Sequence, residues 1–156
     1  MKRLLFLALL ATAPVFAGET TQPFRTGSMS SIVAAHRGQA LALAIWSLDC
    51  LHCPKELQLL AAAKKRHPFL RLVLIATEDL AQRADIEARL RELGLAEASS
   101  WAFDDPVPER LRHDIDPGWR GELPRTYFIG RDGRREAVSG VVTEAKLGAW
   151  LAANDR

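Results

Sequence analysis

Two cysteines three positions apart, Cys50 and Cys53, are the only cysteines in this chain of 156 residues. Leu51-His52 separates them, the apolar run Ala40 to Trp46 precedes them, and the helix-like run Pro54 to Ala61 follows. A strand that ends in Cys-x-x-Cys and turns at once into a helix is the layout of a dithiol–disulfide redox site. A sulfur at a helix start lies near free backbone N–H groups and the positive end of the helix dipole. Both favour thiolate, so the Cys50 pKa is expected below the free value of about 8.5. Cys50 is therefore the expected nucleophile toward a substrate disulfide, and Cys53, one turn further in, the thiol that resolves the mixed disulfide. A bridge across two residues removes little chain entropy, which makes a purely stabilising disulfide the weaker explanation.

Other side chains surround this pair. His52 either adds positive charge beside the Cys50 thiolate, making the disulfide more oxidising, or is an exposed ring with little effect. Glu56 lies three residues after Cys53, on the same helix face and beside the inward positions Leu57 and Leu60. A carboxyl there, partly desolvated, would have a raised pKa and exchange a proton with Cys53 during resolution. The alternative is a surface glutamate that only complements the helix dipole. Trp46 is expected in the core beneath the site. Trp119 is either an exposed lip that touches substrate or a buried structural residue, and His113 reads as a surface residue. Cys50, Cys53 and a distant His113 also allow a second class, a copper-binding module with no role in catalysis. A third class is a partner-binding protein whose dithiol is incidental.

The elements that must position these groups follow from punctuation and periodicity. Residues 18–27 read as an extended, polar lead-in and 29–36 as a short helix. A strand is predicted at about 40–47, then a helix at 52–66 whose end, Lys64-Lys65-Arg66, suits the negative pole of its dipole before Pro68. A buried strand follows at 69–76, then a helix at 81–93 with Ile86, Leu90 and Leu93 on one face, ended by Gly94. A short strand at 99–103 and one or two helical turns at 106–112 come next. Strands at 125–129 and 134–142 flank the turn Arg131-Asp132-Gly133, and a helix at 143–153, capped by Thr143, closes the chain. Parallel strands joined by helices, then a hairpin and a last helix, give an α/β protein: a three-layer α/β/α sandwich around a central mixed sheet.

The first 17 residues have the form of a secretory signal, with basic Lys2 and Arg3, an apolar stretch from Leu4, and Val15-Phe16-Ala17 before Gly18. An uncleaved N-terminal membrane anchor is the alternative. Lys2 and Arg3 account for the whole formal charge of +2, so acidic and basic residues balance in the rest. That balance argues against nucleic acid and anionic membrane surfaces as partners. The domains expected are thus a signal over 1–17, the lead-in over 18–27 and one folded domain over 28–156. Export places the protein in the periplasm, and no obligate interface is visible, which leaves a monomer as the default.

With these residues assembled, residues 28–153 resemble a thioredoxin-fold thiol–disulfide oxidoreductase of the exported TlpA/ResA-like branch. The marks are Cys50-x-x-Cys53 after a strand ending in Trp46, Glu56 three residues beyond, and Leu123-Pro124-Arg125-Thr126-Tyr127-Phe128-Ile129 before a turn and last helix. The resemblance implies a cis peptide at Pro124 facing the dithiol, with the chain near Leu123 open to an extended substrate. It implies no cofactor beyond the redox-active disulfide and no bound metal. The implied partners are exported proteins with cysteines or disulfides, and a membrane thiol carrier as electron donor. The role it suggests is a reductant, in cytochrome c or copper-protein maturation. The sequence departs from the pattern at Asp49, where many members have Trp, and at Ala44, where thioredoxin itself has a buried acid. Leu51-His52 replaces the Gly-Pro of common reductants, and a His before the second cysteine is similar to the oxidising DsbA-type site.

Overall fold

The computed structural model describes residues 21–155. The signal expected over 1–17 lies outside them. Six strands form one sheet: β1 Thr21–Phe24, β2 Leu41–Trp46, β3 Arg71–Asp79, β4 Ser99–Phe103, β5 Arg125–Ile129 and β6 Arg135–Ser139, in the order β1-β4-β3-β2-β5-β6. The first four run parallel to their neighbours, whereas β5 pairs antiparallel with β2 and β6 antiparallel with β5. The helices are α1 Ser28–Ala35, α2 Cys53–Arg66, α3 Arg83–Glu92, α4 Pro108–Ile115 and α5 Glu144–Ala153.

Strand alternation divides the core into two layers. Leu41, Leu43 and Ile45 of β2 face Met29 and Ile32 of α1 and Leu111 and Ile115 of α4. Ala42, Ala44 and Trp46 face the other way, toward Leu57 and Leu60 of α2, Ile86 and Leu90 of α3, and Leu147 and Leu151 of α5. Side chains at successive strand positions point to opposite faces, so this one run serves both layers. The result is the α/β/α sandwich with a mixed sheet that the element order implies.

The central strand and the helix that carry the site are well determined by their residues. All six residues of β2 are buried, and two of the three that face α2 are alanines, which lets the helix approach the sheet closely. Pro54 sits in the first turn of α2, where its missing N–H costs no bond, and Lys64, Lys65 and Arg66 occupy the last. The Thr143 hydroxyl caps α5 by accepting from Lys146 N at 3.2 Å. At the hairpin, Gly133 adopts φ 80°, in the left-handed region that glycine reaches without steric cost.

Helix α4 lies at 108–115, later than the turns expected at 106–112, and three strands of the sheet differ from the reading by sequence. The lead-in at 18–27 does not merely precede the sheet: Thr21–Phe24 is its edge strand, with Phe24 fully buried and stacked 5.7 Å from the Phe103 ring. Pro23 masked it, yet an edge strand tolerates a residue that donates no ladder bond. Strand β3 continues three residues past the expected end at Ala76. Its register on β4 jumps there, Ala76 opposite Ala102 and Asp79 opposite Phe103, so Thr77 and Glu78 bulge from the ladder. Strand β6 stops at Ser139, because Gly140 turns the chain at φ 80° and its N–H donates to Pro124 O at 2.9 Å.

Candidate active site

The dithiol sits where β2 leaves the sheet. After Trp46 the chain turns through Ser47, Leu48 and Asp49, with Cys50 N donating to Ser47 O at 3.3 Å, and Cys53 opens α2. Cys53 N donates back to Cys50 O at 3.3 Å. The two sulfurs are bonded to each other at 2.02 Å with Cα atoms 5.4 Å apart. They are unequal in access: Cys53 is fully buried, whereas Cys50 keeps part of its surface in solvent. An incoming thiolate therefore reaches Cys50, and only Cys50 can reach out.

Behind Cys53 lies Glu56, with none of its surface exposed. Both carboxyl oxygens are engaged: Thr126 Oγ1 donates to Oε1 at 2.7 Å, and Val142 N donates to Oε2 at 2.8 Å. Thr126 pairs with Ala44 in the ladder, so the small side chain at 44 lies directly beside the strand residue that holds the carboxyl. Burial pushes the Glu56 pKa above its ordinary value of 4.5, against the two hydrogen bonds, which lower it. A carboxyl so placed, three residues after Cys53 on one helix, keeps its proton to a higher pH than a surface glutamate does, which suits a group that exchanges a proton with a neighbouring thiol.

Two residues before Thr126, the Leu123–Pro124 bond is cis. Pro124 is buried, and Leu123 is partly exposed and packs against both core layers. Leu51, between the cysteines, is 86% exposed and His52 is exposed as well. Trp46 is buried beneath the loop. Trp119 proves to be the structural alternative: it is buried in the layer of α1 and α4, and its Nε1 donates to Glu122 O at 2.9 Å. His113 is exposed on α4, which packs on the opposite face of the sheet from α2. Among the described residues, no group of three or more His, Cys, Asp or Glu side chains is placed to hold a metal ion.

Two features escaped the sequence. Arg125, immediately after the cis-proline, is largely buried and joins three segments: it donates to Asp116 at 3.0 Å, Glu122 at 3.3 Å and Ser139. Asp116 also accepts from the Tyr127 hydroxyl at 3.1 Å, and the Arg135 guanidinium lies 3.9 Å from the Tyr127 ring centre. The Asp116 pKa is held down, desolvation being outweighed by hydrogen bonds from Gly118, Tyr127 and Arg125. This network ties the loop before Pro124 to the end of β6. The second is Glu78, in the bulge of β3, whose Oε1 accepts from Leu48 N at 2.8 Å across the strand-to-dithiol turn. Arg-x-Tyr and Thr-Glu-Asp carry no recognisable spacing, and only the fold brings them to the site.

A mixed sheet with a Cys-x-x-Cys at the head of α2 and a cis-proline before β5 defines the thioredoxin fold, as the resemblance implied. Comparison with solved structures agrees. The chain is similar to a secreted disulfide oxidoreductase of Mycobacterium tuberculosis homologous to Escherichia coli DsbE (21% identity, TM-score 0.62, 77% of this chain and 85% of that one). It is similar to a thiol:disulfide interchange protein of the thioredoxin family from Chlorobium tepidum (18%, TM-score 0.62, 79% and 84%). It is also similar to StoA from Bacillus subtilis (19%, TM-score 0.53, 73% and 83%). No protein-family model and no curated protein matches the chain.

Proposed function

We propose that this protein is a periplasmic thiol–disulfide oxidoreductase that exchanges the Cys50–Cys53 disulfide with cysteines of exported proteins, working as a reductant. The observation that carries the reading is the asymmetry of the pair: one sulfur reachable at a helix head, the other sealed behind it, with a buried carboxyl one turn further on. The company of solved disulfide oxidoreductases supports it. The signal-like pattern of residues 1–17, basic then apolar, is the sequence feature that favours this compartment.

In the reducing direction the Cys50 thiolate attacks one sulfur of a substrate disulfide and forms a mixed disulfide, and the other substrate sulfur leaves as a thiolate that takes a proton from water. Cys53 then loses its proton to Glu56 and attacks the Cys50 sulfur. The substrate's second thiolate departs and is protonated, and the Cys50–Cys53 disulfide remains. Two electrons have passed to the substrate, and a membrane thiol carrier restores them. Leu123, partly exposed ahead of β5, is the position proposed to meet an extended substrate segment. Maturation of cytochrome c or of a copper protein is the role proposed for this chemistry.

The exposed His52 favours one second reading, an oxidant of DsbA type, because an imidazolium beside the Cys50 thiolate stabilises the reduced form. Trapping tests the exchange itself. Cys53→Ser, incubated with a disulfide-bearing exported protein, is expected to accumulate a mixed disulfide through Cys50, read by non-reducing electrophoresis and mass spectrometry. Cys50→Ser should give none. Equal trapping by both variants, or by neither, contradicts the proposal.

A further inference from the structure

The turn that carries Cys50 is held from outside by a single acidic side chain. The bulge at Thr77–Glu78 lifts Glu78 out of the β3–β4 ladder just after Ala76, the residue opposite Trp46. Bulges recur beside functional sites because the extra residues re-aim a side chain. Here the re-aimed carboxyl receives Leu48 N–H at 2.8 Å, two residues before Cys50. Its other oxygen, Oε2, is buried and has no hydrogen-bond partner. A buried carboxylate oxygen without a partner is costly, and the half-buried Glu78 keeps one against the turn that leads to the reactive sulfur. Among the described residues that flank the dithiol in the chain, Asp49, His52 and Lys55 are exposed and Glu56 is buried. Glu78 is the one that grips the backbone of the turn.

We infer that Glu78 is a positioning residue for the dithiol: its carboxyl fixes the turn from Trp46 to Cys50, and its negative charge disfavours the Cys50 thiolate, holding the couple toward the reducing side. This rests on the oxidoreductase reading and adds to it a residue that sets its direction. The two effects separate by substitution. Glu78→Gln keeps the size and the acceptor for Leu48 N–H and removes the charge, whereas Glu78→Ala removes both.

The test measures Cys50 ionisation by thiolate absorbance against pH, the redox equilibrium against glutathione at pH 8, and the rate of reduction of a model protein disulfide, insulin. For E78Q, Cys50 is expected to ionise about one pH unit lower, as loss of a nearby like charge requires. The equilibrium at pH 8 should move about threefold to tenfold toward the dithiol, about 15–30 mV for a two-electron couple. E78A should in addition exchange with insulin about tenfold more slowly than E78Q, because its turn is no longer fixed. Ionisation and equilibrium unchanged in E78Q, or E78A exchanging as fast as E78Q, would overturn the inference while leaving the oxidoreductase reading intact. A wild-type protein with no reversible couple would instead sink both.

Discussion

At the scale of the residue, the site is a ranking of access and charge. Cys50 can be reached, Cys53 cannot, and Glu56 stands behind Cys53 with both oxygens hydrogen-bonded inside the core. Because the folded protein raises the Glu56 pKa, folding favours its protonated form. Stability from this group is complete below 4.5 and is lost as pH rises from there through the folded pKa. Urea unfolding of the wild type should therefore weaken across that window, and Glu56→Gln should flatten the profile there. The same variant should slow resolution of a preformed Cys50 mixed disulfide by about 10²-fold, the usual scale of a lost proton acceptor. A profile in E56Q that tracks the wild type, with resolution unchanged, would reduce Glu56 to a packing residue.

At the scale of the element, β1 and the Pro124 segment do different work. Phe24 is the anchor of β1, fully buried among Trp101 and Phe103 on one layer of the core. Phe24→Ala is expected to cost about 3–5 kcal/mol of unfolding free energy in urea, the range for a buried aromatic truncated in a core. A loss below about 1 kcal/mol would mean that the strand is an appendage and that the domain does begin near residue 28. The hydroxyl of Thr126 supports the site from β5. Thr126→Val leaves Glu56 Oε1 without its 2.7 Å donor, and should cost about 1–3 kcal/mol in the same assay. It should also raise the Glu56 pKa further, since a bond that stabilises the carboxylate is gone.

Most of this architecture was legible because each element carried its own signal. Strand β4 and strand β5 have the predicted bounds, and the alternation of β2 shows which of its residues meet α2. Cys50 is bonded to Cys53 at the head of α2, and Glu56 follows three residues on in the same helix, because local spacing alone sets those positions; Pro124 carries the cis bond that the resemblance implied. Thr21–Phe24 was hidden because an edge strand of four residues with a proline has no periodicity to read. Trp119 could not be assigned inside or outside from a turn-rich loop, since its burial depends on α1 and α4, distant in sequence. Glu78 was invisible for a stronger reason: a bulge, not a residue pattern, turns it toward Leu48, and strand pairing alone determines where the bulge falls.

At the scale of the whole molecule, a mixed sheet with helices on both faces brings three chain segments to one end: the β2–α2 turn with the cysteines, the cis-proline before β5, and the turn at Gly140–Val142 after β6. Gly140 N donates to Pro124 O at 2.9 Å and Val142 N to Glu56, so the third segment braces the other two. Of the two sulfurs only Cys50 lies at the rim of this scaffold; Cys53 is part of the core layer between the sheet and α2. Function therefore turns on the Cys50/Cys53 couple itself. Titration of the purified protein from Gly18 onward against glutathione buffers measures it directly. The expected result is a reversible two-electron couple near the thioredoxin value of about −270 mV; one near about −120 mV would mark an oxidant, and the absence of any reversible couple would contradict the oxidoreductase account.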